Sequence, residues 1–268
     1  MEDLLKTMRS LVDKIKMHDK FYHRDDAPVI TDNEYDGMVR EVQRLEQLTG
    51  TVLQESPTNR IGYTPSDRFS KVQHPTPLYS LNNVFDDEEL KEWDRRVTKG
   101  LKDNPTITGK DFSLIKPRYA AELKFDGLAL NLIYKKKNGV LDLFQALTRG
   151  DGDIGEDVKN NACFVKNIPM KIYECAEGID EIEIRGEVVM SNEAFIRVNE
   201  LLRSRGEDEL VNARNAAAGS VRQKDSRVTK ERGVEFICYG IGSYREKIKG
   251  FLPDTHEKVL NLLQDWGF

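Results

Sequence analysis

The sequence predicts an α+β fold in which a pair of amphipathic helices precedes a strand-rich body flanked by helices. Three observations predict it. Apolar residues recur at three- and four-residue steps over the first fifty positions. After Arg118 the pattern changes to short alternating or wholly apolar runs of strand length. Among these runs lies Asn138-Gly139, the dipeptide that most strongly favours a two-residue hairpin turn.

The elements follow in order. Leu4, Leu5, Met8, Leu11, Val12 and Ile15 form one stripe of a first helix. Residues 21–28 break the period and end on Pro28, a loop signal. Thr31 with Glu34 is a capping box, so a second helix should begin at Asp32, bury Met38, Val39, Val42, Leu45 and Leu48, and stop at Gly50. Residues 51–85, with four prolines, read as a connector. Asp86 and Glu89 cap a short helix expected to reach about Val97, and residues 99–117 read as a loop. Strands are expected at 119–124, 128–134, 140–147, 181–190 and 234–241. Helices are expected from Ser191 to about Arg203, around Ala216-Ala217-Ala218, and over 255–266.

Bulk composition narrows the function classes. The chain has 268 residues, 38% hydrophobic and 32% charged, which suits folded domains with buried cores. No apolar run approaches the roughly 20 residues of a membrane helix, and the N-terminus lacks a secretory pattern. Three cysteines, Cys163, Cys175 and Cys238, have no Cys-x-x-Cys pair among them; small buried thiols in a reducing cytoplasm are expected. A net charge of −5 excludes a surface basic all over, so contact with nucleic acid must be local. Residues 212–232, with six cations against two acids, are the candidate patch.

The chemistry centres on Glu122-Leu123-Lys124-Phe125-Asp126-Gly127. A lysine at the end of a strand, before a glycine turn, can offer its amine to a pocket from rigid backbone. Attack on phosphorus needs the neutral amine, which burial or a nearby cation favours. The same tetrapeptide fits a surface turn. Glu122, two residues earlier, would share a strand face with Lys124 and could accept from an adenine amino group or form a structural ion pair. Asp32, Tyr35 and Asp36 fall on one side of a helix's first turn, where carboxylates can accept from ribose hydroxyls or simply complement the helix dipole. Tyr239 reads equally as a stacking platform or a core tyrosine.

Lys124-x-Asp126-Gly127 resembles the signature of the covalent nucleotidyltransferases, which include DNA ligases, RNA ligases and mRNA capping enzymes. Further motifs make the likeness more specific. They are Ser56-Pro57-Thr58-Asn59-Arg60, His74, the run Pro77-Leu78-Tyr79-Ser80-Leu81-Asn82-Asn83, Thr148-Arg149-Gly150-Asp151-Gly152, Gly155-Glu156-Asp157, Arg185-Gly186-Glu187-Val188, and residues 212–223. With Tyr22-His23 and Asp32-x-x-Tyr35-Asp36, the whole chain resembles the front part of NAD-dependent DNA ligases.

That resemblance implies a helical lobe over residues 1–60 binding the nicotinamide mononucleotide (NMN) half of NAD, through Tyr22, His23, Asp32, Tyr35 and Asp36. It implies an ATP-grasp-like nucleotidyltransferase domain of antiparallel sheets over 61–268. There Lys124 is the nucleophile, and Ser80, Leu81, Glu122, Asp126, Gly127, Arg149, Glu187 and Tyr239 contact the adenylate. Arg214 and Arg222 are implied as phosphate or DNA contacts. NAD is the implied co-substrate, Mg²⁺ the implied metal, nicked DNA the partner of the intact enzyme, and a cytoplasmic monomer the expected form. The family's later lysine motifs, OB-fold, four-cysteine zinc module, helix-hairpin-helix clamp and BRCT domain lie beyond Phe268, so a fragment is expected, with any Zn²⁺ belonging to the rest. Small departures are Asn82 for a usual Asp, Ala213 for Pro, Lys224 for Leu, and no proline near Thr49-Gly50. Two alternatives differ in kind: an ATP-using ligase or capping-type transferase, and a module that binds NAD or AMP without catalysis.

Overall fold

A computed structural model describes residues 2–19, 21, 29–59, 69–81, 83–103, 117, 119–173 and 177–268. It divides into two compact units, one of Met1–Tyr79 with Phe125–Phe268 and one of Ser80–Lys124. Tyr22, His23, Arg60, Asn82 and Cys175 lie outside the described residues.

The first unit opens with α1 (Glu2–Asp19) and α2 (Asp32–Thr49). Thr31 caps α2 as its sequence predicts. Its hydroxyl accepts from the Glu34 amide at 3.3 Å, and the Glu34 carboxylate accepts from the Thr31 amide at 2.8 Å. Gly50 closes the helix at φ 63°, a left-handed conformation that suits glycine. Met8, Val12 and Ile15 meet Val42 and Leu45 in a core of their own. Leu48, expected in that core, is exposed. A short 3-10 helix at Pro57–Asn59 follows.

The rest of this unit is a five-stranded antiparallel sheet and a two-stranded one. Strands are β1 (Lys71–Gln73), β2 (Leu128–Lys137), β3 (Val140–Thr148), β4 (Ile154–Glu156), β5 (Lys171–Ile172), β6 (Ile179–Val189) and β7 (Glu235–Glu246). The large sheet has the order β5-β3-β2-β6-β7, and β1 pairs with β4. Asn138 and Gly139 both take positive φ, so the β2–β3 hairpin turns as its sequence predicts. Leu130, Leu132 and Tyr134 on β2 lie on the core face with Ile182 and Ile184 on β6. Against that face pack α5 (Asn192–Ser204), α6 (Ala213–Val221) and α8 (His256–Asp265), with α4 (Lys159–Ala162) and α7 (Ser226–Arg232) alongside. Alternation along the strands sends Ala129, Asn131, Glu183, Arg185 and Glu187 to the opposite face.

The second unit holds α3, here Asp87–Asp103, which continues past the expected Val97. The Asp86 carboxylate accepts from the Glu88 and Glu89 amides, both at 2.9 Å. One expectation fails in this unit: residues 119–124 form no strand. A strand needs a ladder partner, and Tyr119 is drawn to a helix instead. Its ring lies 4.8 Å from that of Trp93, and its hydroxyl donates to Asp94 at 2.7 Å. Lys124 therefore does not end a strand, and Glu122 and Lys124 share no strand face. Both side chains are exposed.

Candidate functional site

The clearest cluster of motif residues within one unit lies where residues 126–128 enter β2. Gly127 is buried. A Cβ there would fall inside van der Waals contact of the Val188 carbonyl oxygen and stand 3.2 Å from Glu187 Cγ. Only glycine lets this backbone press onto β6, so Asp126-Gly127 is seated against the strand that carries Glu187. Gly127→Ala is accordingly expected to lower stability by about 1–3 kcal/mol, the usual cost of forcing atoms into a packed site; urea unfolding measures it, and an unchanged midpoint would refute the tight approach.

Asp126 points the other way, to an ion pair with Arg214 at 2.8 Å. Arg214 lies in the first turn of α6, whose cap Asn212 accepts from the Asn215 amide at 2.8 Å. The pair is partly exposed, so its worth lies in orientation rather than stability.

Arg149 follows β3 directly. Its amide donates to the Ala129 carbonyl at 3.2 Å. The turn after it is rigid: Gly150 takes φ 59°, and the Asp151 carboxylate accepts from the Ile154 amide at 2.8 Å and from Asp153 at 3.1 Å. Tyr239, on β7, is 38% exposed. Burial pushes its phenol above the ordinary range, the Glu187 carboxylate adds to this, and the charges of Arg185 and Arg149 oppose it. The β6–β7 register agrees, pairing Arg185 with Gly240 and Glu187 with Ile237 on either side of Tyr239, so that Arg185 and Glu187 neighbour it, and the charge of Arg149 acts on the same phenol. The grouping offers a carboxylate for hydroxyls, guanidinium donors for phosphate and an aromatic face for a base.

Two other predicted features are placed differently. Arg222, at the end of α6, pairs with Glu156 at 3.0 Å, with side-chain exposures of 9% and 3%; its guanidinium is committed to a buried carboxylate. His74 is buried under the Arg149 turn. Its Nε2 donates to the carbonyls of Thr148 at 3.1 Å and Arg149 at 3.2 Å, while desolvation holds its pKa below the ordinary value.

In the helical hairpin, Asp32 is the first residue of α2, and its side chain falls outside what is described. Tyr35 packs on the hairpin core and donates its hydroxyl to Asp19 at 2.6 Å. Asp36 is partly exposed one position on. Ser80 and Leu81, with Glu122 and Lys124, belong to the second unit, where all four are exposed.

Sequence reading missed Glu183 and Arg185 as structural polar groups; the alternation Glu181, Glu183, Arg185, Glu187 was a visible signal for one polar strand face. It also missed Asn131, hidden within an apolar run. Among the described residues no group of three or more His, Cys, Asp or Glu side chains gathers to hold a metal. Cys163 and Cys238 are free thiols. No helix among the described residues is long and apolar enough to cross a membrane.

Comparison with known proteins gives matches along the chain. Residues 1–62 match the family described as DNA ligase-like, N-terminal NAD+-binding domain, and residues 66–268 match the NAD-dependent DNA ligase adenylation domain. A DNA ligase of Methylococcus capsulatus is 41% identical over 266 residues, covering 99% of this chain and 37% of the relative. A DNA ligase of Thermodesulfovibrio yellowstonii is 42% identical over 245 residues, covering 90% of this chain and 34% of its own length. The chain thus spans about a third of the length of the curated relatives it matches.

Proposed function

The chain belongs to the NAD-dependent DNA ligases, as their adenylation domain with the N-terminal NAD-binding domain, and from that membership we propose that it performs the first chemical step of ligation, with Lys124 as the acceptor of AMP. The lone pair of the Lys124 amine forms a bond to the α-phosphorus of NAD. The bond from that phosphorus to the bridging oxygen breaks, its electron pair leaves with NMN, and the amine's surplus proton passes to solvent. A lysine–AMP phosphoramidate remains.

The observation that carries this reading is the close approach of Gly127 to Val188, which brings the end of the Lys124-x-Asp126-Gly127 run beside Glu187. The neighbouring Arg149, Glu187 and Tyr239 suit the α-phosphate, the ribose hydroxyls and the adenine face in that order. From family membership Ser80, Leu81, Glu122, Asp126 and Gly127 are assigned as further adenylate contacts. Arg214 keeps its guanidinium at the surface for phosphate or DNA, and Arg222 supports the same helix through Glu156. Residues 1–60 form the lobe for NMN, with Tyr22, His23, Asp32, Tyr35 and Asp36 as its contacts, and 61–268 the adenylation domain.

Mg²⁺ accompanies the phosphates in this reading; the described side chains offer no cluster that would cage it. In the longer protein the AMP would pass to the 5′-phosphate of a nick in DNA, serving replication and repair, by a cytoplasmic monomer.

Intact-protein mass spectrometry after incubation with NAD or ATP, each with Mg²⁺, tests the reading. An AMP adduct with NAD and none with ATP is expected; no adduct with NAD, despite tight NAD binding, would make the chain a binding module. Asp36→Ala removes a carboxylate that should accept from a ribose hydroxyl, a bond to a charged group worth about 1.5–3 kcal/mol. The NAD concentration for half-maximal adduct should rise roughly 10- to 100-fold. An unaltered dose curve would move the NMN subsite elsewhere.

A further inference from the structure

Between β1 and the second unit runs a short strap, residues 74–78, fastened on two sides. On one side it is tied to the Arg149 turn. The His74 amide donates to the Asp153 carbonyl at 2.8 Å, the Leu78 amide donates to Gly152 at 2.9 Å, and the His74 ring holds the carbonyls of Thr148 and Arg149. On the other side it is tied to β6. The Thr76 hydroxyl donates to Glu183 Oε2 at 3.0 Å, and Arg185 Nη2 donates to the Thr76 carbonyl at 3.2 Å, with a further contact to the Thr76 hydroxyl. Glu183 is the hub. At 1% exposure it also accepts from the Ser243 hydroxyl on β7 at 2.7 Å and pairs with Arg185 at 3.1 Å.

A buried carboxylate bonded from three segments is a costly way to attach a loop. Desolvation consumes much of the Coulomb gain, and an apolar contact of equal volume is often at least as stabilising. This layer is also incompletely satisfied. The Asn131 amide, Arg185 Nε and His74 Nδ1 are buried without a hydrogen-bond partner among the described residues. Asn131 and Arg185 are direct cross-strand partners, and the charges of Glu183 and Arg185 both act on His74, so these groups form one polar layer. A layer shaped by stability alone would leave few such orphans. What hydrogen bonds supply that apolar contact does not is direction.

We propose that Glu183 is a positioning residue of the nucleotide site, acting through Thr76 and the strap to fix the Arg149 turn relative to Glu187 on β6. Glu187 lies two residues beyond Arg185 on the same strand face, and Arg149 is gripped by the His74 end of the strap. The strap is thus the tie between the group assigned to phosphate and the group assigned to ribose. Ser80 and Leu81 follow it in the chain after Tyr79. This inference rests on the adenylate site proposed above, and its test separates the two.

AMP affinity, measured by calorimetry on the whole chain, does not depend on Lys124 chemistry. Thr76→Val keeps the shape and deletes the hydroxyl; it is expected to weaken AMP binding roughly tenfold, the worth of one hydrogen bond to a charged group. Thr76→Ser restores the hydroxyl and should return affinity to within about twofold. Glu183→Gln should weaken binding similarly, and combining it with Thr76→Val should add little, because both act on one contact. Thermal midpoints are recorded for every variant. If Thr76→Val lowers the midpoint but leaves AMP affinity unchanged, Glu183 and the strap are structural only and the inference fails. If Thr76→Val and Thr76→Ser weaken binding equally, the hydroxyl is not the link and the inference fails. If AMP binds and responds to Thr76 as expected while NAD yields no adduct, the catalytic reading falls and the positioning role stands. If the unaltered chain binds no AMP, both fall.

Discussion

Lys124→Ala is expected to abolish transfer of AMP to the chain while leaving NAD binding and the unfolding midpoint close to those of the unaltered protein. The expected loss is complete rather than partial, because no other group can supply the nitrogen of the phosphoramidate bond. The expectation of unchanged stability comes from the exposure of Lys124, since substitutions of exposed side chains away from packed features usually fall within about ±0.5 kcal/mol. The readout is intact mass after incubation with NAD, beside a thermal scan. A retained adduct would show that AMP is bonded elsewhere; a collapse of the fold would show that Lys124 is a structural residue.

The second large effect concerns stability. Arg222→Leu should cost about 3–5 kcal/mol, because it strips a guanidinium from Glu156 while that carboxylate stays in the interior. Glu156 sits on β4 and also takes a backbone bond, its amide donating to the Thr148 hydroxyl at 3.1 Å. The pair therefore links the C-terminal end of α6 to the edge of the Arg149 region. The double variant Glu156→Leu/Arg222→Leu should recover much of the loss, since removing both charges removes the uncompensated one. Equilibrium denaturation of the two single variants and the double checks this. Additive losses would mean that the pair contributes nothing as a pair. Arg222 thereby appears as a brace for α6, and Arg214 as the outward cation of the two.

How far the sequence led depends on how local each signal is. The α2 boundaries were legible because each signal is local: Thr31 and Glu34 act within the first turn, and Gly50 acts on the last. So was the β2–β3 hairpin, because Asn138-Gly139 fixes its own φ angles. Both ends of α7 carry comparable marks: the Asp225 carboxylate accepts from the Arg227 amide at 3.0 Å, and Gly233 closes the helix at φ 69°. The helix escaped notice because its cations invited a reading as a surface patch.

The 119–124 segment went wrong for a non-local reason. Its alternation suits a strand, but a strand forms only where a neighbour supplies hydrogen bonds, and no propensity encodes that. Trp93 and Asp94, some 25 residues earlier, hold Tyr119 instead.

The candidate site was legible as a set of motifs and not as a geometry. Asp126, Gly127, Arg149, Glu187 and Tyr239 could each be named from the chain, and the three-dimensional reason for Gly127, the Val188 carbonyl, could not. Glu183 was overlooked, and Arg185 was named only as part of a motif, because the chain gives no sign that a strap carrying Thr76 covers that strand face.

The most direct test of the central claim is to locate the adduct. The chain is incubated with NAD and Mg²⁺, digested under conditions that preserve a phosphorus–nitrogen bond, and its peptides are sequenced by tandem mass spectrometry. AMP on the side-chain nitrogen of Lys124, in one peptide only, is the predicted result. AMP on a different lysine would contradict the account, as would AMP recovered only as free nucleotide.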